Sequence, residues 1–292
     1  MKKIKFARGR LLQLGGIAAG LAAVAGLAVG GVSAASTRAP VAAHSASGST
    51  SGPKPTIVLV HGAWANGSSW DGVVQRLQAD GYTVDVPANP LMGLAFDPAY
   101  MADFLHSISG PIVLVGHSYG GAVITNAATG DKQVKALVYV DAFAPDQGQT
   151  LGQLVSSVPG SCVVAADPTT IFNLAAYPGA PAGAFDAYYK QNLFPACFAN
   201  GLPLKQARIL AATAEPLSTV ALSQPSGVPA WKTIPSWAVV GTADHVILPA
   251  VQLAMAKHAH AHITEVRAPH LSMIAAPGVV TRVILKAVHA TG

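Results

Sequence analysis

The chain has 292 residues, of which 51% are hydrophobic and 11% charged. That balance suits a compact enzyme and excludes an extended disordered chain. The net charge of +5 traces to Lys2, Lys3, Lys5, Arg8 and Arg10; no acid precedes Asp71, and from Ala35 onward the basic residues only balance the 13 Asp/Glu. The basic charge is therefore no ground for nucleic-acid binding, which needs clustered basic surface.

Residues 1–34 carry a basic start, an apolar run from Leu11 to Gly31, and small residues at Val32-Ser33-Ala34. This pattern predicts a secretory signal peptide and an exported protein. The apolar run is also long enough for a retained anchor, and a buried helix of the fold is a third reading. Residues 35–55 have almost no large apolar side chain, so they are expected to be a flexible linker.

Thr56-Ile57-Val58-Leu59-Val60 reads as a strand buried on both faces, ending in His61-Gly62-Ala63-Trp64. A helix is expected over about 69–79, with Trp70, Val73, Val74 and Leu77 at helical spacing and Gly81 as its stop. Residues 82–86 read as a short strand. Residues 98–108 read as a helix with Tyr100, Phe104 and Leu105 inward. Residues 111–115 form the next strand, and the run 122–128 is helix-like.

Between those two elements stands Gly116-His117-Ser118-Tyr119-Gly120-Gly121. Strand, sharp turn and helix around G-x-S-x-G are the context of a nucleophile elbow. Its glycines let strand and helix approach closely. Ser118 would stand at the tip; the alternative is a serine that merely caps the helix.

Residues 135–140 form another strand, ending at Asp141. The alternation of strand and helix then breaks. The stretch 145–234 holds many prolines, both cysteines, and short pieces such as 184–192 and 203–212 that read as helical. It is expected to be a cap inserted into a core formed by 56–144 and 235–292. Alternation resumes with a strand at 237–241, a helix near 249–259, a strand at 261–266 and a helix near 277–289. Together these predict an α/β fold: a mostly parallel sheet of about six strands, flanked by helices.

A serine hydroxyl needs a histidine to take its proton, and the histidine needs an acid to orient it. In this architecture the order is Ser, Asp/Glu, His. Asp244, just past strand 237–241, is the favoured acid, with Asp141 the competitor. His270, in a turn between the last strand and last helix, is the favoured base. The developing oxyanion needs donors. The expected pair is the backbone N–H of Tyr119 and that of Ala63, in the loop after the first strand. His61 could line the site or make a structural hydrogen bond, and His117 is expected to pack locally. His258, His260 and His262 would share one face of an extended segment. No carboxylate or cysteine clusters with them, so an exposed face is expected there, not a metal site.

Cys162 and Cys197 are expected to pair in an exported chain; two buried free thiols are the alternative. Lys190, Lys205, Arg208 and Lys232 are the basic residues of the cap stretch, too sparse to suggest polyanionic substrates.

The loop at His61-Gly62-Ala63-Trp64, the elbow, Gly241-x-x-Asp244 and the late His270 resemble the α/β-hydrolase superfamily from about Thr56 onward. They look most like the branch of plant methylesterases and hydroxynitrile lyases, which also holds many bacterial esterases. Two positions depart from relatives with other chemistries. Lyases of this branch carry a lysine after the catalytic histidine, where this chain has Leu271. Dehalogenases and epoxide hydrolases use an aspartate where this chain has Ser118. The resemblance implies a serine esterase; with the leader pattern and the apolar cap stretch, the expectation is an exported enzyme for small to medium apolar esters. No cofactor, metal, nucleic acid or membrane contact beyond the export signal is expected. The alternatives are a non-catalytic binding protein on the same fold, or a C–C bond hydrolase or lyase on the same triad.

Overall fold

The computed structural model describes residues 53–291. The expected leader, 1–34, and nearly all of the expected linker, 35–55, lie outside them. The described chain begins with strand β1 (Thr56–Val60), helix α1 (Asp71–Ala79), strand β2 (Val84–Asp85) and helix α2 (Asp97–His106). Then come β3 (Ile112–His117), α3 (Tyr119–Ala127) and β4 (Val134–Val140). After an inserted region the core resumes with β8 (Ser236–Gly241), α6 (Pro249–His258), β9 (His262–Val266), α7 (Ser272–Ala275) and α8 (Pro277–Thr291). The insertion itself holds α4 (Leu151–Val155), β5 (Phe172–Ala175), β6 (Asp186–Tyr189), α5 (Leu204–Ala212) and β7 (Leu217–Ser218).

The six core strands form one parallel sheet in the order β2-β1-β3-β4-β8-β9. Strands β3 and β8 are buried at every residue, as helices on both faces require. Helix α8 lies against β3, β4 and β8 and packs on α1, whereas α3 lies against β3 and packs on α2. The register aligns the C-terminal strand ends. Val60 pairs with Gly116, His117 with Val140, Val140 with Val239, and Gly241 with Val266. Every loop that follows a core strand therefore opens at one edge of the sheet, where sites in open parallel sheets form.

Three expectations need correction. The piece at 184–192 is not helical: its centre is β6, in a three-stranded antiparallel sheet with β5 and β7. Its burial alternates, with Ala187 and Tyr189 inward and Tyr188 outward, a period of two that excludes a helix. Tyr100 is 43% exposed and stacks on exposed Phe96, so Met101 and Leu105 are the large apolar residues that α2 buries fully. His258, His260 and His262 fall on a helix end, a turn at φ 51° and a strand start. All three are exposed, as expected, but not along one extended segment: His258 meets Asp146 at 2.8 Å, and His262 packs on Trp237. Helix α7 was not expected at all.

Candidate active site

The turn from β3 into α3 holds Ser118 at φ 51° and ψ −121°, a strained conformation for a residue with a side chain. Its carbonyl accepts the N–H groups of Gly121 (3.0 Å) and Phe143 (3.1 Å), which lock the turn. A side chain at Gly62 would collide with Ser118, since a Cβ there would lie 2.7 Å from Ser118 Cβ. The loop after β1 thus reaches the serine because residue 62 is glycine.

The structure brings the three expected triad residues together. Ser118 Oγ donates to His270 Nε2 at 3.0 Å, and His270 Nδ1 donates to Asp244 Oδ2 at 2.7 Å. Asp244 Oδ1 accepts the backbone N–H groups of Val246 (2.7 Å) and Ile247 (3.1 Å), and Gln252 Nε2 donates to Oδ2 at 2.7 Å. Four donors thus converge on one buried carboxyl. Burial pushes it upward, and donation from Val246, Ile247 and Gln252 pulls it back. Burial pushes the His270 imidazole down to about 3, so the ring is neutral at rest, the form a base needs.

Asp141 is not part of this chain of bonds. Its Oδ1 accepts the Gly241 N–H at 2.8 Å and its Oδ2 accepts the Ser272 N–H at 3.0 Å. It ties the end of β4 to the end of β8 and to α7, a structural role.

Tyr119 follows the serine directly, and Ala63 follows Gly62, whose backbone packs against Ser118. Tyr119 is the first residue of α3, where a backbone N–H has no intrahelical acceptor. The Ala63 N–H meets no acceptor among the described residues. The Tyr119 side chain turns away from the site, and its hydroxyl donates to buried Asp97 at 2.6 Å. His61 makes structural hydrogen bonds. Its Nδ1 donates to the Gly62 carbonyl at 3.0 Å, and its Nε2 accepts from the Asn89 N–H at 3.3 Å. Burial lowers its pKa.

His117 does more than pack. Its Nε2 donates to the His270 carbonyl at 2.9 Å, and its ring lies 4.8 Å from the His270 ring. Burial holds it neutral, well below the ordinary histidine range. Asn89, Asp97 and Gln252 were not singled out from the sequence, because no local motif marks them, and Asn89 and Asp97 reach their site partners His61 and Tyr119 across 28 and 22 residues.

The inserted region covers the site with aromatics. Phe198 stands edge-on to His270 at 4.9 Å, backed by Phe194, Tyr189 and Trp64. The neighbouring Cys197 is disulfide-bonded to Cys162, with Cα atoms 5.9 Å apart. Cys162 in turn donates its N–H to the His245 carbonyl at 2.9 Å, beside the acid. Leu271 is buried among Trp64, Phe194 and Phe198. No three metal-ligating side chains converge among the described residues, nor is any helix there long and apolar enough to cross a membrane.

A parallel sheet with a Ser–His–Asp hydrogen-bond chain over its C-terminal edge is the arrangement of a serine hydrolase. The chain belongs to the alpha/beta hydrolase family, whose model matches residues 57–283. It is 29% identical to the alpha/beta hydrolase nvfD of Aspergillus novofumigatus over 256 residues, 80% of this chain and 96% of that one. It is 33% identical to a carbendazim hydrolyzing esterase of Nocardioides sp. (strain SG-4G) over 114 residues. That match spans 34% of this chain and less than half, 46%, of the esterase. Among solved structures, an extracellular alpha/beta-hydrolase from a Paenibacillus species superposes with a TM-score of 0.65 at 22% identity. The superposition covers 80% of this chain and 98% of that one, and at that identity it speaks for the fold alone.

Proposed function

We propose that the protein hydrolyses carboxylic esters through an acyl-enzyme. The unbroken hydrogen-bond chain Ser118–His270–Asp244 carries this reading. Ser118 Oγ attacks the ester carbonyl carbon while His270 Nε2 takes its proton. The carbonyl π electrons move to oxygen, which the N–H groups of Ala63 and Tyr119 hold. As the tetrahedral species collapses, His270 returns the proton to the departing alcohol. Water then attacks the acyl group by the same route and frees Ser118. Asp244 keeps Nδ1 protonated and stabilises the imidazolium.

The aromatic cover argues for small to medium apolar acyl or alcohol groups, and the esterase among its relatives favours the same class. The region 145–234 acts as the cap that frames this pocket. Leu271 offers no ammonium for cyanide release, so within the methylesterase-like branch the esterase role is the one favoured. The leader pattern supports export after removal of residues 1–34.

A panel of aryl esters of increasing acyl length tests this, run on wild type and Ser118→Ala. Turnover should appear in wild type and vanish in Ser118→Ala, with the fold intact. Cyanide release from mandelonitrile without ester turnover would overturn the assignment.

A further inference from the structure

Both proposed oxyanion donors are backbone N–H groups, so their aim depends on what holds their peptides. The Ala63 N–H shares a peptide plane with the Gly62 carbonyl. In a trans peptide the two point in opposite directions. His61 grips that carbonyl through Nδ1 and so sets the plane. Asn89 then grips His61 twice: its N–H donates to Nε2, and its Nδ2 donates to the His61 carbonyl at 2.8 Å.

The second donor is held from the same segment. Asp97 Oδ2 accepts the Tyr119 hydroxyl at 2.6 Å, and the carboxylate also accepts the N–H groups of Met92 and Gly93, each at 3.0 Å. The Asp97 N–H closes the turn onto the Gly93 carbonyl at 2.9 Å. Leu91 and Gly93 sit at φ 60° and 116° to allow it. Asn89 and Asp97 are 2% and 0% exposed, so the segment is built into the core.

The inserted region seats on this same segment. The Ser218 N–H donates to the Leu91 carbonyl at 2.9 Å, and Gln224 Oε1 accepts the Ala95 N–H at 3.0 Å. We propose that residues 89–97 are a positioning clamp, holding both oxyanion donors at once and coupling them to the seating of the inserted region. The proposal rests on the esterase reading above. Asn89 and Asp97 are positioning residues: they act through His61 and Tyr119. An oxyanion contact forms only as the reaction proceeds, so a misaimed donor lowers kcat and spares KM.

Ester turnover and affinity for an alkyl boronic acid, a mimic of the tetrahedral species, are measured on the full chain. The variants are Tyr119→Phe, Asn89→Ala and Gln224→Ala. Tyr119→Phe and Asn89→Ala should lower kcat about 10- to 100-fold with KM within about twofold, and Gln224→Ala should lower it about threefold. Boronate affinity should fall by the same factor in each. Near-UV circular dichroism checks the fold. If Asn89→Ala does not fold, Tyr119→Phe, which removes a single oxygen, decides. Wild-type kcat and boronate affinity in the folded variants, or losses confined to KM, overturn the clamp. A wild-type effect in Gln224→Ala alone overturns its coupling to the inserted region. Wild type inert toward both esters and boronate overturns the esterase reading itself.

Discussion

At the scale of single residues, the two buried aspartates at neighbouring strand ends do different work. Asp244→Asn should leave Ser118 in place yet lower kcat by about 10³- to 10⁴-fold, because His270 loses the anion that fixes its tautomer. Asp141→Asn replaces one acceptor by a donor facing the Ser272 N–H. It should show instead as about 1–3 kcal/mol of lost stability in a denaturant melt. Greater loss of turnover in Asp141→Asn than in Asp244→Asn would reverse the acid assignment. The pH profile follows from His270. Only the neutral ring can accept the Ser118 proton, and burial moves its protonation from the usual 6.5 down to about 3. The acid limb of kcat/KM should therefore have its midpoint below pH 6.5, with far-UV circular dichroism confirming folded protein at each point. A midpoint at or above 6.5 would mean that the attraction of the Asp244 carboxylate outweighs burial. The triad was legible in the sequence because strand-end position and chain order constrain it. The supports of the triad were not. His117, Asn89 and Asp97 act on residues that only the folded sheet brings near.

At the scale of elements, the strands of the core could be read because β-branched runs buried on both faces leave no polar alternation to confuse them. The inserted region was harder. Tyr188 and Tyr189 belong to β6, whose period of two spans only four residues, too short to separate strand from helix by pattern. Helix α7 has just four residues, less than any periodicity can mark. The packing of α3 onto β1 yields a sharper test. A Cβ at Gly120 would lie 2.6 Å from the Val60 carbonyl oxygen and 2.8 Å from that of His61. Both neighbours are backbone and cannot rotate aside. Gly120→Ala should cost about 1–3 kcal/mol and displace α3 from the loop after β1. A lowered Tm together with reduced turnover is the expected result; an unchanged Tm would show that the helix can slide without penalty.

At the scale of the whole molecule, the disulfide stands out because it joins two parts of the insertion that sit beside the acid and over the base of the triad. The stretch at Cys162 rests on the loop after Asp244, and Cys197 adjoins the phenylalanine over His270. Closing a loop with a sequence separation of 35 residues is worth about 4 kcal/mol in the chain-entropy model. Reduction should lower Tm by roughly 10 °C, and limited proteolysis should then cut first between residues 162 and 197. An unchanged melting curve after verified reduction would show that packing alone secures the insertion. Net charge was the whole-chain property easiest to misread: the surplus sits in the first ten residues, outside the described residues 53–291. The wide spacing of the triad has a consequence for biosynthesis. Ser118 and His270 are 152 residues apart, and the histidine follows β9, the last core strand in chain order. Every residue through His270 must therefore be made, and the core sheet paired, before the nucleophile gains its base. A nascent chain that stops short of His270 has a serine but no means of activating it, so turnover waits for the segment beyond β9.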